Sequence, residues 1–214
     1  ARKMGVKSYL PKVPSIALGS PDISLFEMVG AYGTFANKGI YVEPIMVTTI
    51  EDKNGTVVYE VVPKTKDVLS EETAYVTLSL MKGVTESGSG QRLRHSGAEE
   101  NNYAYKTIVT GYPYQFTNPI AGKTGTTQNQ SDGWFMGITP DLVTGVWTGC
   151  EDRAAHFLSL RLGMGTNMAL PIWGYYMNDI YKNKKIKISK GKFEVPESLV
   201  NEELKQYFRP EFLN

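Results

Sequence analysis

The chain has 214 residues, a formal net charge of +1, 41% hydrophobic residues and 21% charged residues. This length is enough for one ordinary domain with a core, and the composition excludes a disordered chain. The nearly neutral charge gives no indication of nucleic acid as a partner. An apolar run of about 18 residues is absent, so no transmembrane helix is predicted. The single cysteine, Cys150, and two histidines exclude an internal disulfide and argue against a zinc site, so no metal or cofactor is expected.

Three helices are predicted from apolar residues at helical spacing. The first covers 22–38, with Asp22 as its N-cap. The second covers 70–85 and is capped by Ser70. The third covers 168–181, and the proline in its first turn is compatible with a helix.

Two β-prone runs, 46–50 and 56–59, flank the dipeptide Asn54-Gly55, which is a strong hairpin signal. Residues 95–117 show no clean period and are predicted to be a long surface insertion. Cys150 is predicted to be a small core residue at a strand end.

An antiparallel meander is predicted over 120–127, 133–138 and 142–150. Helices come first, then this sheet, then a last helix, and this order indicates an α+β fold. The segment that follows, 182–214, is rich in lysine, and a run of this kind is typical of a solvated face.

The informative stretch is 121–127, Ala-Gly-Lys-Thr-Gly-Thr-Thr. A phosphate-binding loop would require glycine where Thr117 stands, and a helix where β signals continue. A strand that points one lysine to solvent is the default for a lone Lys-Thr-Gly. The third interpretation is the Lys-Thr-Gly strand of serine transpeptidases, carboxypeptidases and class A β-lactamases.

The context favours the third interpretation. Residues 127–147 resemble the segment after Lys-Thr-Gly-Thr in class A penicillin-binding proteins, the bifunctional peptidoglycan synthases with a glycosyltransferase and a transpeptidase domain. Residues 14–20 and 31–39 resemble the helix and loop that follow the serine motifs of that family. Residues 163–173 resemble its final helix. The matches run in order from about residue 1 to 181.

The resemblance implies a penicillin-binding transpeptidase/β-lactamase-like fold, here incomplete, with three C-terminal strands plus helices. It implies that Lys123, Thr124, Gly125 and Thr126 bind the substrate. Lys123 would serve in electrostatics and proton handling, Thr124 and Thr126 would bind the substrate carboxylate, and the Thr126 N–H would stabilise the oxyanion. Lys123 and Gly125 lie on the opposite face of a regular strand from the two threonines, and the sequence does not decide how one site uses all four.

The resemblance also implies partners and a location. Residues 1–181 would be the C-terminal part of a transpeptidase domain, and 182–214 a lysine-rich extension. The expected partners are a peptidoglycan stem peptide, β-lactams and the missing N-terminal half of the same protein. The parent would be anchored in the inner membrane, on the periplasmic side of a bacterial cell envelope.

The family also requires a Ser-x-x-Lys motif with the acylated serine, and a Ser-x-Asn motif. The formal match at 189–192 lies after Lys-Thr-Gly in a polar tail and is interpreted as coincidence, and Ser-x-Asn does not occur. We therefore expect both motifs to precede residue 1, the chain alone to resist acylation, and its sheet to keep an open edge. A D,D-carboxypeptidase and a non-catalytic envelope module remain alternatives.

Several residues near the motif allow both a structural and a functional interpretation. Asp132 is interpreted as a turn former, not as a group that orients a catalytic residue. Trp134 and Trp147 are interpreted as packing residues, and His156 as a surface or structural residue. The glycines in 163–165 fit either a loop at the mouth of the site or simple chain reversal.

Overall fold

A computed structural model describes residues 1–94 and 112–200. Its helices are α1 (Leu25–Ala36), α2 (Glu71–Glu86), α3 (Leu160–Gly163), α4 (Ala169–Lys182) and α5 (Glu197–Val200). Its strands are β1 (Ile40–Val42), β2 (Thr49–Glu51), β3 (Val57–Glu60), β4 (Thr65–Asp67), β5 (Ala121–Thr126), β6 (Asp132–Thr139) and β7 (Leu142–Gly149). The predicted α+β class with antiparallel pairing is confirmed.

Local capping explains where the two long N-terminal helices begin. Ser70 caps α2 as predicted, and its side chain accepts a hydrogen bond from the Thr73 N–H. The predicted cap of α1, Asp22, is wrong. The cap is Ser24, because Glu27 three residues later completes a reciprocal capping box with it.

Short strands form two small sheets, β1 with β4 and β2 with β3. The predicted hairpin is confirmed as β2 and β3, with Gly55 at φ 82° in the turn. The pairing of β1 with β4 was not predicted. Each of those strands has three residues, which is too short for a clear alternation of apolar and polar residues.

The main sheet has the order β5-β6-β7, antiparallel throughout, as the meander predicted. One face is covered by α1 and α2, where Leu78 and Met81 pack with Ala121 and Ile138. The other face is covered by α4, whose fully buried Trp173 packs edge-on to Phe135. The sheet is thus the middle layer between two sets of helices, and β5 is one of its two outer strands.

Two expectations about burial are wrong. Residues 95–111 lie outside the described part of the chain, but the end of the predicted surface insertion is core. Tyr114 and Phe116 are 2% and 8% exposed and stack on each other. Apolar contact with α4 outweighs the loop-like composition here. Cys150 is exposed, because β7 ends at Gly149 and Cys150 opens an exposed segment that continues to residue 162.

The segment after α4 returns to the body of the protein. Its lysines up to residue 200 are exposed, as expected for a solvated run. Some of its apolar residues are buried or partly buried. Phe193 packs against the α2 side of the core, and Leu199 is 3% exposed. Lys38 bridges Glu194 and Glu71, at 2.7 and 3.2 Å. The boundary at residue 182 therefore remains a prediction about domain organisation.

Candidate active site at the edge of the main sheet

The Lys-Thr-Gly-Thr sequence occupies the end of β5. This strand pairs with β6 on one side, and no strand of the described residues pairs with its other side. Lys123 is exposed, and its Nζ donates to the Thr124 carbonyl oxygen at 2.8 Å. An open strand edge with a lysine ammonium beside it is a surface on which an extended peptide can pair.

The register with β6 decides which face each side chain uses. Lys123 is opposite Met136, and Gly125 is opposite Trp134. These residues are in phase with Ala121, so Lys123 and Gly125 belong to the face that α1 and α2 cover. Thr124 and Thr126 belong to the face that α4 covers. The four residues can therefore serve one site only around the open edge of β5.

Thr124 is positioned by the loop that follows α2. The Ser89 Oγ lies 2.7 Å from the Thr124 Oγ1, and either atom can donate. Ser89 follows the Ser87-Gly88 break at the end of the helix, and its side chain is exposed. Sequence reasoning assigned this loop no role, because a helix-breaking Gly/Ser stretch carries no sign of what it will contact.

Thr126 is positioned by the loop before α4. The Gly165 N–H donates to the Thr126 Oγ1 at 2.9 Å. A side chain at Gly165 would clash with the Gly125 carbonyl oxygen and with the backbone of Trp134. This close approach requires glycine at position 165. It favours the interpretation of 163–165 as a loop at the mouth of the site over simple chain reversal. The Thr126 hydroxyl accepts from Gly165 and keeps its own proton available for a second partner.

The other residues considered from the sequence lie on β6, on β7 and in the segment after β7. Asp132 opens β6 and is 6% exposed, and its carboxylate lies 3.9 Å from the Arg153 Nε. Trp134 and Trp147 are opposite each other across β6 and β7 and form a cross-strand pair. This arrangement agrees with the packing role predicted for both residues. His156 is exposed, with its Nδ1 3.0 Å from the Phe157 carbonyl oxygen.

A second formal Ser-x-x-Lys, Ser79-Leu80-Met81-Lys82, escaped the sequence interpretation. Ser79 lies in the middle of α2 and is 6% exposed. α2 meets β5 through Leu78 and Met81. The contact between α2's end and the Lys-Thr-Gly strand is made instead by Ser89. The motif is therefore not arranged as a nucleophile for this site.

Apolar side chains close to the site are exposed. Phe157, Leu158, Leu160 and Leu162 are 44%, 95%, 55% and 49% exposed. They stand on the segment between β7 and Gly163, and the Phe157 N–H contacts the Gln130 carbonyl oxygen beside the β5–β6 turn. A cluster of this kind is typical of a surface that another polypeptide segment covers.

Within residues 1–94 and 112–200, no group of three or more His, Cys, Asp or Glu side chains is placed to hold a metal ion. No helix in the same ranges is long and apolar enough to cross a membrane.

Comparison with solved structures identifies the fold class. The chain is similar to penicillin-binding protein 1A from Haemophilus influenzae, with a TM-score of 0.72 and 22% identity over 92% of this chain and 31% of that one. It is also similar to PonA1 from Mycobacterium tuberculosis, with a TM-score of 0.68 and 23% identity over 91% of this chain and 50% of that one. The fold is that of penicillin-binding transpeptidases.

Sequence comparison then gives the family. The family described as the penicillin binding protein transpeptidase domain matches residues 11–148. The chain is 33% identical to penicillin-binding protein 2D of Bacillus subtilis over 186 residues, which are 86% of this chain and 24% of that protein. It is 31% identical to penicillin-binding protein 1A of Aquifex aeolicus over 82% of this chain and 21% of that protein. The chain therefore belongs to the penicillin-binding protein transpeptidase family, and it spans less than a quarter of the length of these two relatives.

Proposed function

We propose that this chain forms part of the active site of a class A cell-wall D,D-transpeptidase, which cross-links peptidoglycan stem peptides through a serine acyl-enzyme. The observation that carries the proposal is the open edge of β5, with Lys123 and both threonines of the motif around it. Family membership supports the reaction class. The location that follows is the periplasmic side of a bacterial inner membrane, with β-lactams as inhibitors.

The open edge supports a binding mode for an extended stem peptide. Since Lys123 reaches the Thr124 carbonyl, that carbonyl faces away from β6. Backbone groups alternate along a strand, so the Thr126 N–H faces the same open edge. It is then free to donate to a substrate oxygen that becomes negative in the transition state. One such donor typically contributes about 3 kcal/mol to transition-state stabilisation.

The side chains supply the charge and the hydroxyl donors. Lys123 places a positive charge at the edge, where it attracts the terminal carboxylate of the stem peptide and favours the alkoxide form of an attacking serine. The Thr126 hydroxyl, fixed by Gly165, donates to the same carboxylate. Thr124 is held by Ser89 and completes the binding surface. No metal or cofactor has a role in this scheme.

The nucleophile is assigned to a part of the protein outside this chain. Neither Ser79 nor Ser189 stands at the edge of β5, and Ser-x-Asn does not occur in the sequence. The exposed leucines at 158, 160 and 162 are the kind of surface that the missing N-terminal half would cover. In the reaction, the absent serine attacks the D-Ala-D-Ala carbonyl, D-Ala leaves, and an amine of a second stem peptide resolves the ester.

The test uses the intact protein that contains this chain and a labelled penicillin. Lys123→Met is expected to lower the rate of acylation by about 100-fold or more, the size typical of a lost acid–base or charge-stabilising group. Lys53→Met, in the exposed hairpin turn, is the matched control and should react normally. An intact protein that is folded but never labelled would point to a non-catalytic envelope module. If the protein is labelled by penicillin but only hydrolyses stem peptides, without forming a cross-linked product, it is a D,D-carboxypeptidase.

A further inference from the structure

A cavity of about 660 Å³ lies between α2, the segment before β5, and the polypeptide that follows α4. Residues around it include Tyr75, Ser79, Lys82, Phe116, Lys192 and Phe193. Neither the Lys-Thr-Gly strand nor Ser89 lines it, so it is separate from the candidate active site. Its volume lies within the range of about 300–1,000 Å³ that is typical of small-molecule sites.

The wall of the cavity contains a hydroxyl without a hydrogen bond. Ser79 is 6% exposed, and its Oγ has no partner among the described residues. A serine or threonine inside a helix usually bonds back to a carbonyl one turn earlier. Thr77, in the same helix, does so with the Thr73 carbonyl oxygen at 2.7 Å. Ser79 does not, and an unmet buried hydroxyl is costly unless something else satisfies it.

The charges around the cavity favour an anion. Lys82, Arg94 and Lys192 contribute positive charge, and among the described residues Glu86 is the one acidic side chain that lines the cavity. The Arg94 guanidinium is held in place, because one of its terminal nitrogens donates to the carbonyl oxygens of Phe116 and Asn118. It therefore acts as a fixed positive charge, while each of the two lysines carries a compact ammonium group on a flexible four-carbon side chain.

Thr117 and Asn118 add polar groups to the lining, and much of the remainder is apolar. Leu78, Phe116, Phe193 and Val195 present aliphatic and aromatic surface. An inorganic anion would leave this surface in contact with water, whereas an anion with an aromatic body would cover it. Apolar walls with a few polar groups that fix orientation are the usual composition of a small-molecule site.

We propose that this cavity is a second binding site, which takes a small aromatic carboxylate. The carboxylate lies between Lys82 and Lys192 and accepts a hydrogen bond from the Ser79 hydroxyl. The aromatic body lies against Phe116 and Phe193. The site is made by α2 and by the chain after α4, so a ligand bound there would also hold that returning segment against the domain.

The experiment is a calorimetric titration of the intact protein with 2-naphthoate, and with the neutral analogue 2-naphthalenemethanol. The wild-type protein is expected to bind one 2-naphthoate saturably and the neutral analogue at least about tenfold more weakly, the ratio expected for one lost charge-assisted contact. Ser79→Leu, which fills the cavity, and Lys82→Gln should each weaken 2-naphthoate binding by at least about tenfold. Lys187→Gln, an exposed lysine of the same returning segment, should bind like the wild type.

Absence of saturable binding to the wild type overturns the proposal. Wild-type affinity for 2-naphthoate in both Ser79→Leu and Lys82→Gln also overturns it, as does equal affinity of the wild type for 2-naphthoate and the neutral analogue. If Ser79→Leu lowers the melting temperature strongly, the double variant Lys82→Gln, Lys192→Gln replaces it. Neither lysine is in the core, so unchanged binding by this double variant would contradict the assigned position.

Discussion

The Ser89 Oγ lies 2.7 Å from the Thr124 Oγ1, so the loop after α2 contacts the Lys-Thr-Gly strand directly. The two residues are far apart in the sequence, and they meet because α2 runs beside β5. In the same part of the structure, the buried Thr85 Oγ1 donates to the Ile120 carbonyl oxygen at 2.6 Å. The last turn of α2 is thereby attached to the residue before β5, and the loop after α2 is attached to β5 itself.

Ser89→Ala should impair acylation of the intact protein without unfolding it. Loss of one hydrogen bond of ordinary strength, about 0.5–1.5 kcal/mol, predicts a decrease of about two- to thirteenfold in the acylation rate constant. The measurement is the second-order rate constant for a labelled penicillin, together with the melting temperature. Ser87→Ala is the matched control, because the Ser87 Oγ only approaches the Gly83 carbonyl oxygen at 3.5 Å.

A positioning role for Ser89 makes one further demand. Ser89→Thr keeps the hydroxyl and should recover most of the rate. If Ser89→Ala and Ser87→Ala react equally fast, Ser89 does not position Thr124.

Gly165→Ala should damage the site and the fold together. The new methyl group would meet the Gly125 carbonyl oxygen and the backbone of Trp134, which cannot move without breaking the β5–β6 pairing. Overpacking of this kind typically costs about 1–3 kcal/mol. Because the shift also breaks the bond from the Gly165 N–H to the Thr126 Oγ1, acylation should fall as well.

Gly33→Ala is the control for that variant. Gly33 lies inside α1, and a methyl group there would meet nothing within 4 Å. Alanine in a helix interior is favoured over glycine by about 1 kcal/mol, so this variant should be as stable as the wild type or slightly more so. Equal melting temperatures for Gly165→Ala and Gly33→Ala would contradict the packing described for Gly165.

Glu27 should make the attachment of the N-terminal segment depend on pH. Its carboxylate accepts from the Ser8 hydroxyl and from the N–H groups of Lys7 and Ser8. The hydrogen bond from the Ser8 side chain, assisted by these N–H groups, lowers the pKa of Glu27 from 4.5 to about 2. A lowered pKa stabilises the folded state fully above pH 4.5, and this contribution is lost as the pH falls towards 2.

The measurement is amide hydrogen exchange at Lys7 and Ser8, compared between the wild type and Glu27→Gln at each pH. Exchange should be faster in Glu27→Gln at pH 7, because the amide side chain carries no charge. The difference should shrink between pH 4.5 and pH 2, as the wild-type carboxylate becomes protonated. A difference that stays constant over this range would show that the charge of Glu27 does not hold the segment.

Strong local signals in the sequence predicted much of the fold. Asn54-Gly55 marks the turn between β2 and β3, and Ser70 marks the start of α2. The Lys-Thr-Gly sequence lies on an outer strand of an antiparallel sheet, as its β-prone flanks indicated. These features depend on interactions within a few neighbouring residues, such as turns, caps and strand propensity. A short stretch of sequence is therefore enough to predict them.

Contacts between distant segments were not predictable in the same way. The burial of Tyr114 depends on α4, and the role of Gly165 depends on its approach to Gly125. The hydrogen bond of Ser89 to Thr124 joins two stretches with no shared pattern. Such contacts depend on how the helices and the sheet pack together. They leave no periodic pattern of apolar and polar residues in either segment, so a single sequence does not predict them.

The most direct test of the central claim is to label the intact protein with penicillin, digest it and identify the acylated residue by mass spectrometry. We expect the acyl group on a serine outside the 214 residues of this chain, and we expect the chain expressed alone to remain unlabelled. An acyl group on Ser79, Ser189 or any other serine of this chain would contradict this expectation.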